Sequence, residues 1–139
     1  MKSTELRIGS LVEYNGMIMK VYEICSPKPR KEKRYSDKYV IELFDGSGLL
    51  DCALDEIKPI QLTEEWLLRF GFGTGNKLYS DFLEHWYYKY HLDDFEINLP
   101  SGSCSFKNTC IKNIQYVHQL QNLYFALTGQ ELAIVKPIK

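Results

Sequence analysis

No apolar run in these 139 residues approaches the roughly 18 needed to cross a bilayer, so a membrane-spanning helix is not expected. The Walker loop, HExxH, GxSxG and EF-hand patterns are all missing, and with them every local signature of nucleotide hydrolysis, zinc proteolysis, ester hydrolysis or calcium binding. Charge of one sign is missing too. The net charge is −1, so no global field draws the chain to nucleic acid or to an anionic membrane. The opening MKSTELRIGS has no apolar core of the signal-peptide kind, from which we expect a cytoplasmic protein. In that compartment Cys25, Cys52, Cys104 and Cys110 are reduced thiols, and an even count does not by itself make a disulfide framework.

The remaining cysteine and histidine chemistry is sparse. His85 and His91 are six apart, as are Cys104 and Cys110, outside the two-to-four and three-to-five spacings usual for zinc ligands. Cys104 or Cys110 with His118 and Asn122 is the one triad-like set, and no local signature supports it. Asp93, Asp94 and Glu96 read as a solvated turn rather than a carboxylate pair. No catalytic residue, metal or cofactor is expected.

What is present is ordinary hydrophobicity, 45%, with a high aromatic share, 14%, most of it tyrosine. Tyrosine buries area while keeping a polar tip, which suits a wet core or a binding surface. Leu11, Val12 and Tyr14 before Asn15-Gly16, and Ile18, Val21 and Ile24 after it, predict a hairpin with a type I′ turn. A second hairpin is predicted from Tyr39 to Leu54 around Asp45-Gly46-Ser47-Gly48, and a short turn then leads to Ile57–Ile60. Short strands at regular spacing, with a long loop after the second, predict a small SH3-like β-barrel over residues 1–62. Such barrels serve many functions.

Residues 63–139 predict an α-β-β-β-α unit, making the whole an α+β protein whose two parts share a core. Thr63 caps a helix carrying Trp66, Leu67 and Phe70, which ends at Gly71. GFGTGN follows that helix instead of joining a strand to one, so it is no dinucleotide fingerprint. Strands are predicted at Trp86–Leu92, with Trp86, Tyr88, Tyr90 and Leu92 on one face, at Phe95–Leu99 and at Ser103–Phe106. A helix is predicted over Asn113–Thr128, then a short strand through Leu132, Ile134 and Val135.

Two segments stand out. From Asn113 to Gln130 there is no charged residue. Ile114, Val117, Leu120, Tyr124 and Leu127 recur at helical spacing and predict a core-facing stripe. His118, Gln121, Asn122 and Phe125 form another stripe, and Gln115, Gln119 and Asn122 a third. Amides and an imidazole on a helix fit two situations. Either the protein's own loops cover them, or they form a partner contact face, in which case Tyr116, His118, Gln121, Asn122 and Phe125 would carry it. The second segment is the loop Ser26–Lys38, where Lys28, Arg30, Lys31, Lys33, Arg34 and Lys38 outnumber Glu32 and Asp37. From Ile41 to Glu65 the balance reverses, with seven carboxylates against Lys58. The basic loop, with Tyr35 and Tyr39 beside it, is either a solvated flexible segment or a grip for phosphates and a stacked base.

LTEEWLLRFGF (62–72), IQYVHQLQNLYFALTGQEL (114–132) and ELRIGSLVEYNG (5–16) resemble the signatures of a widespread group of small uncharacterised proteins of gut-anaerobe genomes, prophages and phages. The resemblance covers nearly the whole chain except the basic loop and the meander. It implies an intracellular protein of mobile elements and no particular activity. The leading expectation is therefore a non-catalytic protein-interaction module, modulating a host or phage factor. Nucleic-acid binding through the basic loop is the alternative, and small-ligand (nucleotide) sequestration a further one. A homo-oligomer is compatible with each.

Overall fold

The computed structural model describes residues 1–73, 75–82 and 84–136. Among these the chain is α+β, with one four-stranded and one five-stranded antiparallel sheet and two α-helices. It divides into two compact units. The first joins residues 1–60 to 116–128, and the second joins 61–115 to the segment from 129 onward. The expected boundary at residue 62, with the last helix in the second part, is therefore revised. That helix belongs with the first sheet, because its amides bond the loop before the first strand.

In the first unit β1 (Leu11–Tyr14) and β2 (Met17–Cys25) pair through Asn15-Gly16, whose φ of 49° and 77° are those a type I′ turn requires. β3 (Val40–Phe44) and β4 (Leu49–Ala53) close around Asp45, whose Oδ1 accepts from the backbone N–H of Ser47 and Gly48. Strand alternation sends Val12, Met19, Val21, Ile41, Leu43 and Cys52 inward, where Leu6 and Ile57 complete the core. Fully burying each of the larger aliphatic side chains contributes roughly 1.5–3 kcal/mol. The outward row is less favourable. Glu23, Glu42 and Asp51 sit opposite one another across β2, β3 and β4. Desolvation first, then its acidic neighbours, hold the Glu42 carboxyl above its ordinary value.

The strand order is β1-β2-β3-β4, and the described residues form no closed barrel. After a 3₁₀ turn at Leu54–Glu56, an isolated antiparallel bridge, Glu13 to Lys58, brings the following segment onto β1. The last helix is α2 (Val117–Thr128), shorter than the helix predicted from Asn113. Its first half is buried, and from Phe125 onward it is exposed, so the expected core stripe holds at Val117 and Leu120 but not at Leu127.

In the second unit α1 (Glu64–Arg69) starts at Thr63, whose hydroxyl accepts from the Trp66 N–H, and stops before Gly71 at φ 91°. Five strands follow, not three: β5 (Asn76–Ser80), β6 (His85–Leu92), β7 (Phe95–Leu99), β8 (Ser103–Phe106) and β9 (Thr109–Asn113). The two unforeseen strands are the sheet edges. β9 is exposed throughout and β5 nearly so, and a strand without a buried face writes no alternation into the sequence. β9 also occupies the start of the segment predicted as helix. The predicted strand through Leu132, Ile134 and Val135 is irregular backbone. The Val135 N–H donates to the Arg69 carbonyl at 2.8 Å, satisfying the end of α1 instead of a sheet edge.

Tyr90, Ile97 and Cys104 lie side by side across β6, β7 and β8 and are essentially fully buried. One end of the row is closed by Phe95 and Phe106, ring centroids 4.8 Å apart. The turn before β8 depends on Gly102. Its φ is 77°, its carbonyl accepts from the Ile114 N–H at 2.7 Å, and an added Cβ would stand 2.0 Å from the Ile114 carbonyl oxygen. Gly102→Ala should therefore cost about 3 kcal/mol, the upper end for a single substitution, measured by urea unfolding. Gly48→Ala, with open space around it and an ordinary φ, should change stability little in the same measurement.

Candidate functional site

Tyr116 stands just before α2, and its backbone N–H donates to Gln119 Oε1 at 3.1 Å, the returning half of a capping box. One turn on, Gln121 and Asn122 meet the segment between residues 5 and 11. Gln121 Oε1 accepts from the Leu11 N–H at 2.8 Å, and its Nε2 donates to the Gly9 carbonyl at 3.1 Å. Asn122 Nδ2 donates to the Glu5 carbonyl at 2.7 Å, while its Oδ1 accepts from Arg7 Nε at 2.9 Å. Arg7 also donates to the Gln121 carbonyl at 3.0 Å and lies over the Phe125 ring at 4.7 Å. Of the two situations open to an amide-bearing helix, Gln121 and Asn122 are thus in the first, engaged by their own protein. Arg7, their partner, carries no sequence signal that singles it out.

His118 differs. Its ring is 1% exposed, and neither Nδ1 nor Nε2 has a hydrogen-bond partner. Burial holds the imidazole below its ordinary 6.5, and Glu5 opposes this. The ring stacks on Tyr116, centroids 5.9 Å apart and planes 11° apart. Both border a cavity of about 280 Å³ together with Met1, Lys2, Glu5 and Pro59. Glu5 Oε2 accepts from the Lys2 backbone N–H at 2.6 Å, which holds that carboxylate below its ordinary range. A larger cavity, about 590 Å³, includes Tyr39, Leu54 and Ile57, and its Lys38 and Asp55 are paired with each other at 3.3 Å.

The basic loop folds onto the acidic segment that follows it in sequence. Arg34 forms a bidentate ion pair with Glu56, lies 5.1 Å from the Tyr35 ring centroid and reaches the Tyr14 hydroxyl. The pair pushes the Glu56 carboxyl below its ordinary range and the guanidinium above its own. Arg30 donates to the carbonyls of Ser26, Lys28, Tyr35 and Lys38, so it knits the loop from inside. Three of the six candidate phosphate-gripping residues, Arg30, Arg34 and Lys38, are accordingly engaged within the unit, and Lys28, Lys31 and Lys33 are exposed. The reversal of charge along the sequence was the visible sign of this pairing.

In the second unit the face that buries Tyr90 continues outward along β6 into exposed aromatics. Trp86 is 55% and Tyr88 41% exposed, so of the aromatics predicted to share this face only Tyr90 is buried. Tyr79 packs edge-on against Trp86 at 5.2 Å from β5, and Lys77 Nζ lies 5.0 Å from the Trp86 ring centroid. Phe82, in the turn between the two strands, is 93% exposed.

The sparse chemical candidates stay separate. Burial pushes the Cys104 thiol up to about 11 and Cys52 up to about 12, the wrong direction for a nucleophile. Cys110 is exposed on β9, and Asn122 is held by Arg7 and Glu5. His85 bonds its own neighbour's carbonyl, and no group of three or more metal-ligating side chains gathers among the described residues. Asp93 and Asp94 form the β6–β7 turn, while Glu96 pairs with Lys89 at 3.0 Å. No family model matches the chain, and neither do any curated proteins or solved structures.

Two outcomes are expected. Gln121→Ala leaves the Leu11 N–H and the Gly9 carbonyl unmatched and should cost about 2 kcal/mol in denaturant unfolding. The His118 shift also has a defined sign. The unfolded chain binds the proton more readily, so stability is full above pH 6.5 and falls as pH drops through that value toward the lower folded pKa. A melting series from pH 8 to 5 should show that step in the wild type and lack it in His118→Phe.

Proposed function

We propose that this chain is a non-catalytic protein-interaction module whose contact face is the aromatic β5–β6 hairpin. One observation carries the reading: Tyr79, Phe82, Trp86 and Tyr88 are all exposed on one short hairpin, beside Lys77. Tryptophan and tyrosine dominate the binding energy of protein interfaces, because they bury much area at little entropic cost. Grouped exposed aromatics on a folded sheet are otherwise a solubility liability. Phe125 and Tyr116 remain available to a partner on the first unit, with Phe125 43% exposed. His118, Gln121 and Asn122 act there by shaping the surface, not by touching the partner.

The likeness of the three sequence segments to small proteins of phages and gut-anaerobe genomes supports placing this module in a mobile element, acting on a host or phage factor in the cytoplasm. The Glu13–Lys58 bridge, added to two hairpins in sequence order, supports reading the first sheet as SH3-like. Nucleic-acid binding rests on Lys28, Lys31 and Lys33, too few cations for a strong salt-dependent grip.

The test is a comparative purification from the native host. The proteins retained by the wild-type chain should be lost, or weakened at least tenfold, with Trp86→Ala and Tyr88→Ala, while circular dichroism and melting stay as in the wild type. Equal retention by the variants would refute the assignment. Binding of short single-stranded DNA at low salt, abolished by reversing Lys31 and Lys33, would favour the alternative.

A further inference from the structure

The cavity beside His118 is lined by residues of the first unit, and it borders an unmatched group. A buried polar side chain without partners costs about 1–3 kcal/mol, and such groups are ordinarily satisfied. Here both nitrogens of an almost fully buried imidazole are unmatched, and the ring borders an accessible space. We propose that this cavity is a binding site for a small, flat, uncharged molecule that carries both an N–H donor and a carbonyl acceptor, as nucleobases and cyclic amides do.

Four features select that class. A neutral imidazole has one donor nitrogen and one acceptor nitrogen, so a ligand with both functions satisfies whichever faces it. The near-parallel rings of Tyr116 and His118, with Pro59, favour a flat apolar face. Glu5 offsets one of the two positive groups on the wall, Lys2 and the Met1 amino group, and each of the three can bond a polar edge of an uncharged ligand. The volume, about 280 Å³, is several times the ~30 Å³ share of one water, so a polyatomic ligand fits. The 590 Å³ cavity is larger, but among the described residues it borders no buried unmatched polar atom, and its Lys38 and Asp55 bond each other.

The experiment uses the full chain labelled with ¹⁵N-histidine. Uracil, cytosine, adenine and guanine, their ribonucleosides, and 2-pyrrolidone are titrated separately, and the ring nitrogens of His118 are followed by long-range ¹H–¹⁵N correlation. At least one probe should move a His118 ring nitrogen saturably at submillimolar concentration, with His85 and His91 unmoved. Preference for bases over 2-pyrrolidone assigns a nucleobase, and the reverse a cyclic amide. The variant His118→Phe fills the same volume without polar atoms and should weaken binding at least tenfold. His118 shifts that stay flat to millimolar concentration with every probe would overturn the proposal, as would undiminished binding by His118→Phe. If that variant does not fold, the wild-type titration decides alone.

Discussion

The first unit depends on the bonds between Gln121 and the backbone of residues 9 and 11. These join a helix near the end of the chain to a loop near its start, across 110 residues of sequence between Gln121 and Leu11. Without them the Leu11 N–H, at the start of the first strand, loses its partner, and the loop that carries Leu6 into the core is left to Arg7, Asn122 and the backbone bonds of Gly9 and Ser10 to Val21. A buried backbone donor must be matched. An amide does this with a donor and an acceptor on one side chain, and no charge needs to be desolvated. This task accounts for an uncharged residue at position 121.

The same helix divides its polar residues between two fates. Gln121 and Asn122 are fully used by the N-terminal segment, whereas His118, three residues before Gln121, is buried with nothing to bond. One stripe of sequence thus carries both a structural clamp and an unmatched ring at the edge of a cavity. The clamp and the cavity share the segment around Glu5, whose carbonyl accepts from Asn122 and which also lines the space beside His118.

Electrostatics follow a similar economy. The basic loop and the acidic stretch after it are two halves of one intramolecular arrangement, with Arg34 on Glu56 and Lys38 on Asp55. Being exposed, these pairs contribute little stability each, and their main effect is to give a proline-interrupted loop one preferred path. Arg30 reinforces that path by bonding carbonyls that would otherwise need water.

Turn and cap chemistry made most of the local elements legible in the sequence. Asn15-Gly16 announced the first hairpin, Asp45-Gly46-Ser47-Gly48 the second, Thr63 a helix start and Gly71 its end, because turn and cap chemistry acts over two to four residues. The sequence also exposed the charge-free helix and the reversal of charge, though not which partners would be chosen. Tertiary structure alone decided that Trp86 and Tyr88 are exposed while Tyr90, on the same face, is buried. Periodicity reports which side of a strand a residue occupies, and cover depends on what packs there. It alone placed α2 with the first sheet, made edge strands of two segments lacking alternation, and engaged Gln121 while leaving His118 unmatched. Those outcomes rest on contacts between residues far apart in the chain, and a local pattern has no means of encoding them.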